Sequence, residues 1–403
     1  MKKSLTIIAA ALTALPVMAA QKAEPENPDS TGFKFTDVKV IKTTPVKDQN
    51  KSGTCWCFST NSFLEDEIIR QTGKETHLSE MFVVRKCYED KADKYIRMGG
   101  KINFAQGGSG VDPLYVWRNY GMMPEEVYKG LEYGDEKHSH YELFDAMEGY
   151  MNGVLRNAGK KLTTGWKAGL RGILDGYMGK VPESFTYQGK TYTPKSYAAS
   201  LGINPDDYVS VTSWSHHPFY TQFPVEVADN WLWASSYNVP LDELQQILDN
   251  AVENGFPIAW AADVSEPGFK WTKGYALLPK AKSEKDMTDT ELSRWVKLSD
   301  KDREAEKFEI TGPCEEQEVT QESRQKDFDI QATTDDHGME IVGYAVDQNG
   351  TRYYKVKNSW DTNQIYDGYF YLSKPYFQAK TISMIVHKDA IPNAIAKKLG
   401  IKK

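Results

Sequence analysis

The stretch QNKSGTCWCFS, residues 49–59, is the most informative part of the chain, together with a second motif far away in the sequence. The second motif consists of DHG at residues 336–338 and KNSW at residues 357–360. In chain order, the two stretches provide a glutamine six residues before a cysteine, then a histidine, then an asparagine followed by Ser-Trp. Acyl transfer by a thiol requires a donor for an oxyanion, a nucleophile, a base and a group that orients the base. The two stretches therefore predict the halves of one site.

Cys55 is the candidate nucleophile. A thiol attacks well only as thiolate, and the N-terminus of the helix predicted to begin at Cys55 favours an anion. His337 is the candidate base, and the side-chain oxygen of Asn358 would hold its ring. The Gln49 amide and the Cys55 backbone N–H would donate to the oxyanion of a tetrahedral intermediate.

Each of these residues also has an ordinary structural interpretation. A lone buried cysteine is usually a small hydrophobe, a lone histidine is usually a hydrogen-bonded structural group, and Asn-Ser-Trp alone is only the end of a strand. Their joint occurrence in this order favours the catalytic interpretation. Cys57 is interpreted as a core residue, and His216 with His217 as a polar loop pair, so the sequence predicts no metal site and no cofactor. Cys87 and Cys314 could pair in an exported protein, but no pattern brings them together.

Residues 1–20 have the anatomy of a secretory signal peptide, with two lysines, an apolar centre and small residues at the end. The apolar centre is shorter than the roughly 20 residues of a membrane span. We therefore expect an exported protein, periplasmic or secreted, without a membrane anchor. Residues 21–42 are predicted to be a flexible leader.

The charge and the length narrow the class of protein. The formal net charge is −7, and −9 without Lys2 and Lys3, which disfavours binding to nucleic acid. The remaining 361 residues (43–403) exceed the usual length of one domain, so we expect one elaborated domain. Its insertions are predicted near residues 133–215, where periodicity is weak, and near residues 281–329, which is charged and interpreted as a surface excursion.

Periodicity predicts helices in the first half and strands in the last third. Helices are expected from Cys55 to Gly73 and from Ser79 onwards, since Gly favours a left-handed cap and Ser an N-cap. Asn349-Gly350 between two β-rich runs predicts a hairpin, whose turn would bring Asn358 back beside His337. The expected class is α+β, with the cysteine on a helical half, the histidine on an antiparallel-sheet half and a cleft between them.

At these motifs the chain resembles the papain-like cysteine peptidases. Two departures are informative: Ser52 stands where those enzymes usually have a disulfide cysteine, and 282 residues separate Cys55 from His337 instead of about 130–150. Both departures resemble the bleomycin hydrolase and aminopeptidase C branch, which carries a large insertion before the histidine. Similar segments are the glycine pair at residues 107–108, YGMMP at residues 120–124 and NGFPIAW at residues 254–260.

The resemblance implies an aminopeptidase acting on peptides, on a papain-like core that is often assembled into a hexameric ring. It implies that Gly107 and Gly108 hydrogen-bond the substrate backbone. It also implies that the terminal carboxylate, here on Lys403, meets the amino group of the substrate. The last seven residues contain four lysines, which would weaken that interaction.

Three alternatives stay open at this point. An endopeptidase on the same core differs in whether the tail blocks the cleft. A catalytically silent peptide-binding scaffold has no chemical need for all four of Gln49, Cys55, His337 and Asn358. A transglutaminase-type acyltransferase normally orients its histidine with Asp, whereas this chain offers Asn.

Overall fold

The computed structural model describes residues 32–403 except 158, 160, 281–284, 286, 300–301 and 304–307. The predicted signal peptide and residues 21–31 of the predicted leader lie outside the described residues. No helix within the described ranges combines the length and the hydropathy that a membrane span needs.

The helices of the described chain fall mostly before residue 200. The first helix spans the predicted range and the second begins where predicted. Gly73 adopts φ +72° as C-cap of α1, and the Ser79 hydroxyl accepts the Phe82 N–H at the start of α2. The helices are α1 (Cys55–Thr72), α2 (Glu80–Arg97), α3 (Asp112–Asn119), α4 (Tyr141–Leu155), α5 (Gly165–Met178), α6 (Pro194–Ser200), α7 (Leu241–Glu253), α8 (Asp289–Trp295), α9 (Gln321–Asp329), α10 (Lys374–Lys380) and α11 (Asn393–Leu399).

Most strands of the described chain belong to one mixed sheet, in the order β5-β6-β4-β13-β7-β10-β11-β12-β9-β8, with β1 also paired to β10. A separate hairpin joins β2 to β3 through Gln188-Gly189. The strands are β1 (Thr36–Val40), β2 (Phe185–Tyr187), β3 (Lys190–Tyr192), β4 (Tyr208–Thr212), β5 (Gln222–Pro224), β6 (Ser235–Asn238), β7 (Ile258–Ala262), β8 (Phe269–Lys270), β9 (Tyr275–Ala276), β10 (His337–Val346), β11 (Arg352–Lys357), β12 (Tyr369–Ser373) and β13 (Thr381–His387).

The two halves meet where α1 packs against β10 and β7. One core cluster contains apolar residues of α1 to α6, and another contains those of α7, α11 and the central strands. The first insertion, near residues 133–215, therefore extends the helical half, since Met147, Met151 and Leu174 are fully buried in its core. The predicted α+β architecture with a cleft between a helical half and a sheet half is confirmed.

The hairpin of β10 and β11 positions the later motif. The strands pair antiparallel with Glu340 opposite Lys357, and the chain turns at Gly350, whose φ is +82°. Antiparallel pairing returns the chain to its starting end, so residue 358 comes back beside residue 337. The predicted hairpin is confirmed.

The prediction of a flexible leader over residues 21–42 is wrong for residues 36–40. These residues form β1, which pairs antiparallel with the distal part of β10. The pairing is possible because β10 carries Gly343, where an added Cβ would lie 2.1 Å from the Lys39 carbonyl oxygen. Val38 and Val40 alternate with Asp37 and Lys39, but all five residues of β1 are exposed, so no face of the strand is buried as in a half-buried strand.

The expectation of a surface excursion over residues 281–329 is also wrong at its C-terminal end. There α9 is anchored by Arg324, whose side chain is fully buried. A buried guanidinium needs acceptors for its several donors, and here they are backbone carbonyls. These belong to Ser213 (2.9 Å), Gln378 (2.9 Å), Ala379 (3.3 Å) and Thr381.

Candidate active site

Cys55 is the first residue of α1 and lines a cavity between the two halves, together with His337. The thiol is partly exposed, while the next residues, Trp56 and Cys57, are buried. Burial raises the pKa of Cys55 to about 12, and nearby carboxylates add to this. The backbone N–H groups of Gly338 and Trp56 hydrogen-bond the sulfur and lower the pKa. The helix start therefore provides one N–H, that of Trp56, and the start of β10 provides the other, within surroundings that oppose the charge of a thiolate.

His337 is the first residue of β10 and is buried. Its Nε2 lies 2.7 Å from Oδ1 of Asn358, which can only accept, so Nε2 carries the proton. This tautomer leaves Nδ1 as the atom that can take a proton from a thiol. Trp360 covers the ring at a centroid distance of 4.4 Å.

Burial also lowers the pKa of His337, to about 4, against the opposing effects of Asn358 and the Asp336 charge. Desolvation thus disfavours both a lone Cys55 thiolate and a lone His337 imidazolium. The pair of opposite charges is neutral overall, so the two charges are least costly when they form together by transfer of one proton. This is the chemistry that a thiol nucleophile beside a base requires.

Gln49 is buried and joins the two motifs. Its Oε1 accepts the Ser359 hydroxyl at 2.7 Å, and its backbone N–H donates to the Ser359 carbonyl at 2.9 Å. Its Nε2 donates to the Ser52 carbonyl at 2.8 Å. A primary amide has two N–H donors, so one stays available for an oxyanion. The role of Gln49 as oxyanion donor stays a prediction with this geometry in its favour.

The glycine pair lies in tight surroundings beside the cysteine. An added Cβ on Gly108 would lie 2.7 Å from an Asp112 oxygen and 2.8 Å from the Trp56 ring, and one on Gly107 would lie 1.9 Å from Oδ2 of Asp229. Gly108 lines the cavity that contains Cys55. Any side chain here would have to displace these neighbours, so packing within the chain already requires glycine at both positions. Their hydrogen bonds to the substrate backbone stay a prediction.

The structure does not bring Lys403 to the site, so its predicted contact with the substrate amine is absent from this arrangement. Its ammonium donates to the Asp389 carbonyl at 3.2 Å, and no described residue after Asn393 lines the cavity. The reason is that α11 buries Ile395 and Leu399 in the core of the sheet half, which directs the tail away from the cleft.

Two carboxylates of the cavity were not among the predicted site residues. Asp335 and Asp229 line it, and the charge of each raises the pKa of Cys55. Asp335 stands directly before the Asp-His motif, which is a signal of proximity. Asp229 lies in a stretch without a recognisable motif, so the sequence holds no signal for it.

The remaining candidates take structural roles. All four cysteines carry free thiols, so Cys87 and Cys314 do not pair.

His216, His217 and Glu226 are close enough to hold an ion, with ligand atoms within 4.8 Å. However, Oε1 of Gln325 accepts the Ser215 N–H, and its Nε2 therefore donates to Nδ1 of His216. His216 therefore keeps its proton on Nε2 and donates it to Glu226 at 3.0 Å, which describes a hydrogen-bonded cluster better than a ligand set.

Comparison with known proteins agrees with this geometry. Residues 31–155 match the papain family of cysteine proteases, and residues 315–402 match the peptidase C1-like family. The first match contains Gln49 and Cys55, and the second contains His337 and Asn358.

Similar proteins cover most of the chain at low identity. Aminopeptidase C of Lactobacillus delbrueckii subsp. lactis is 22% identical over 89% of this chain and 82% of its own length. Aminopeptidase G of the same organism is 23% identical over 86% of this chain and 82% of its own length. The crystal structure of PepW from Lactobacillus rhamnosis superposes with a TM-score of 0.67 at 16% identity, covering 91% of this chain and 84% of that one. The overall fold is therefore shared across the insertions as well as the two motifs.

Proposed function

We propose that this chain, which belongs to the bleomycin hydrolase and aminopeptidase C family of papain-like cysteine peptidases, removes residues from the N-terminus of peptides. The aminopeptidases C and G of Lactobacillus, which align with most of the chain, support this choice of activity. The observation that carries the proposal is the hydrogen bond of 2.7 Å between His337 Nε2 and Asn358 Oδ1, since His337 lines the cavity that contains Cys55. This bond fixes the tautomer that a thiol nucleophile needs.

The proposed reaction uses four side chains. The thiol proton of Cys55 passes to Nδ1 of His337 while the sulfur attacks the carbonyl carbon of the scissile bond. Gln49 and the Cys55 backbone N–H donate to the resulting oxyanion. The imidazolium, oriented by Asn358, then protonates the leaving amine and a thioester remains. Water attacks the thioester with His337 as base, releasing the carboxylate product and the free thiol.

A single comparison tests this proposal. One peptide is offered with a free and with an acetylated N-terminus to the reduced protein, with Cys55→Ala as control. We expect hydrolysis of the free peptide alone, at its first peptide bonds, and no hydrolysis by the control. Equal hydrolysis of both peptides would contradict an aminopeptidase, and hydrolysis by Cys55→Ala would contradict the thiol mechanism.

An endopeptidase is the second candidate, and the position of the tail favours it. In an aminopeptidase something must block the cleft or hold the free amine, and here the Lys403 side chain is bonded to Asp389 instead. Cleavage of the acetylated peptide at internal bonds would select this candidate.

We further propose that the chain is exported and forms a homo-oligomer. Export is supported by residues 1–20, and the hexamer is an implication of the family resemblance alone. An exported protein would begin near residue 21 when recovered from the periplasm or the medium, which N-terminal sequencing tests. A hexamer would have a mass near six times that of the mature chain by light scattering, and a monomeric mass would contradict it.

A further inference from the structure

The cavity that contains Cys55 is strongly unbalanced in charge. Three carboxylates line it, those of Asp229, Asp335 and Asp336, whereas none of its described lining residues is a lysine or an arginine. A cleft with one sign of charge and apolar walls attracts a ligand group of the opposite sign. The cavity is therefore suited to bind a positively charged group of the substrate.

The three carboxylates differ in what already satisfies them. Asp336 is engaged, because it accepts the Ser265 N–H at 3.1 Å and the Thr334 hydroxyl at 2.9 Å. Asp335 receives no hydrogen bond or ion pair from any other described residue, and burial followed by the charges of Asp229 and Asp336 raises its pKa. Asp335 is thus the carboxylate with most to gain from a positively charged partner.

Asp229 has an incomplete set of partners. Its Oδ1 accepts from the Asn103 amide at 3.1 Å, and its Oδ2 lies against the backbone of Gly107. The buried Lys91 is the cation that acts on it, but the Lys91 ammonium donates to the carbonyls of Ala105 (2.8 Å) and Gly107. Lys91 therefore offsets part of the charge without forming an ion pair with this carboxylate.

We propose that Asp229 and Asp335 are specificity-determining residues that together bind a cationic group of the peptide, an ammonium or a guanidinium. This inference rests on the proposed peptidase function. Asp229 lies against Gly107, and Asp335 precedes the Asp-His motif. The charge of Asp229 acts on Asp335, so one cation between them can interact with both. In an aminopeptidase, these two carboxylates bind the amino group of the substrate, a role that the C-terminal tail does not fill in this structure.

The cation can come from the α-amino group or from a basic side chain. Four coumarin amides separate these sources: norleucyl-alanyl and lysyl-alanyl, each with a free or an acetylated N-terminus. Acetyl-norleucyl-alanyl-coumarin carries no cation and is the internal reference. The variants are Asp229→Asn and Asp335→Asn, which keep the shape of the side chain, and Asp242→Asn, an exposed residue of α7, controls for a general change in charge.

We expect each cavity variant to weaken the binding of the cationic reporters to Cys55→Ala by about tenfold or more, because a charge-assisted hydrogen bond is lost. For the reporters with a free N-terminus, kcat/KM should fall correspondingly, mainly through KM. The affinity for the reference reporter, and all values for the Asp242→Asn enzyme, should change less than twofold. If only the reporters with a free N-terminus are affected, the site binds the α-ammonium. If only the reporters with lysine are affected, the site binds a basic side chain. A parallel loss for all four reporters, or no loss for any, would overturn the inference.

Binding to Cys55→Ala keeps this inference distinct from the proposed function. Calorimetry with the four reporters measures affinity without turnover, and the double variants with Asp229→Asn and Asp335→Asn should lose the preference for the cationic ones. Preferential binding without hydrolysis by the parent enzyme would retain the cation site and refute the peptidase. Hydrolysis by the parent enzyme without any preference for the cationic reporters would retain the peptidase and refute the cation site.

Discussion

At the scale of single residues, the site depends on a few hydrogen bonds that leave one group of each side chain available for chemistry. Asn358 accepts from His337, and this frees Nδ1. Ser359 and Ser52 hold the Gln49 amide and leave one N–H. In each side chain, the hydrogen bonds already made determine which atom remains for the reaction.

Gln49→Ala should lower kcat by about a hundredfold to a thousandfold, since loss of one oxyanion donor costs roughly 3–4 kcal/mol of transition-state stabilisation. KM should change little. Ser359→Ala is the matched control, because it removes the hydroxyl that holds Oε1 and keeps the donor. Steady-state kinetics on a cleaved peptide test this prediction, and equal losses in the two variants would show that Gln49 acts only by bracing the structure.

Asp335→Asn should shift the pH profile of Cys55 alkylation by iodoacetamide to lower pH. A neighbouring negative charge disfavours the thiolate and contributes to the raised pKa of Cys55, so its removal increases the thiolate fraction at a given pH. Mass spectrometry of the Cys55 peptide separates this reaction from that of the exposed Cys314. An unchanged profile, or a shift matched by Asp242→Asn, would contradict a direct effect.

At the scale of elements, α1 and the β10–β11 hairpin are joined by a buried polar cluster. Lys357 lies 3.8 Å from Glu340 and 4.0 Å from Asp66, and donates to Ser62 at 2.7 Å. Burial raises the pKa of both acidic residues, and the Lys357 charge opposes this effect. The helix that begins at the nucleophile is thereby fixed to the strand that begins at the base.

Lys357→Met should lower the free energy of unfolding by about 3–5 kcal/mol, because it leaves buried carboxylates without their cation. Lys355→Met, on the same strand, is the matched control. Lys355 pairs with the half-exposed Asp37, so its loss should cost about 1 kcal/mol or less. Urea unfolding measures both, and equal effects would refute a special role for the cluster.

These elements also show what the sequence could predict. The ends of α1 and α2 and the β10–β11 turn were predictable because Gly73, Ser79 and Asn349-Gly350 act locally. The association of Cys55, His337 and Asn358 was predictable because motif order implies a known geometry. β1 was not predictable, since pairing with β10 and not burial defines it. Asp229 reaches the cavity only through tertiary packing, which no local pattern encodes.

At the scale of the whole molecule, packing determines the position of the C-terminus, which lies away from the site where it was predicted to meet the substrate. The apolar face of α11 belongs to the core of the sheet half, and Lys398 pairs with Glu243 on α7. These contacts hold the end of the chain near Asp389, away from the cleft.

A chain that ends at Ile401 should keep the ratio of kcat/KM for free and acetylated peptides within about twofold of the full chain. The reason is that the two deleted lysines are exposed and line no part of the cavity described here. Kinetics on the peptide pair measure the ratio. If it fell towards one, the terminal carboxylate would have to reach the substrate after all, and Asp229 and Asp335 would not be sufficient.

The bonds between Gln49 and Ser359 join positions 310 residues apart in the chain, one in each half. The group that stabilises the reaction and the loop that aims the base consequently depend on the same closed interface. Separation of the halves would therefore remove the oxyanion donor and the support of the base together, even with the helix and the sheet intact. Hydrolysis by this peptidase is expected to cease with the loss of this one interface.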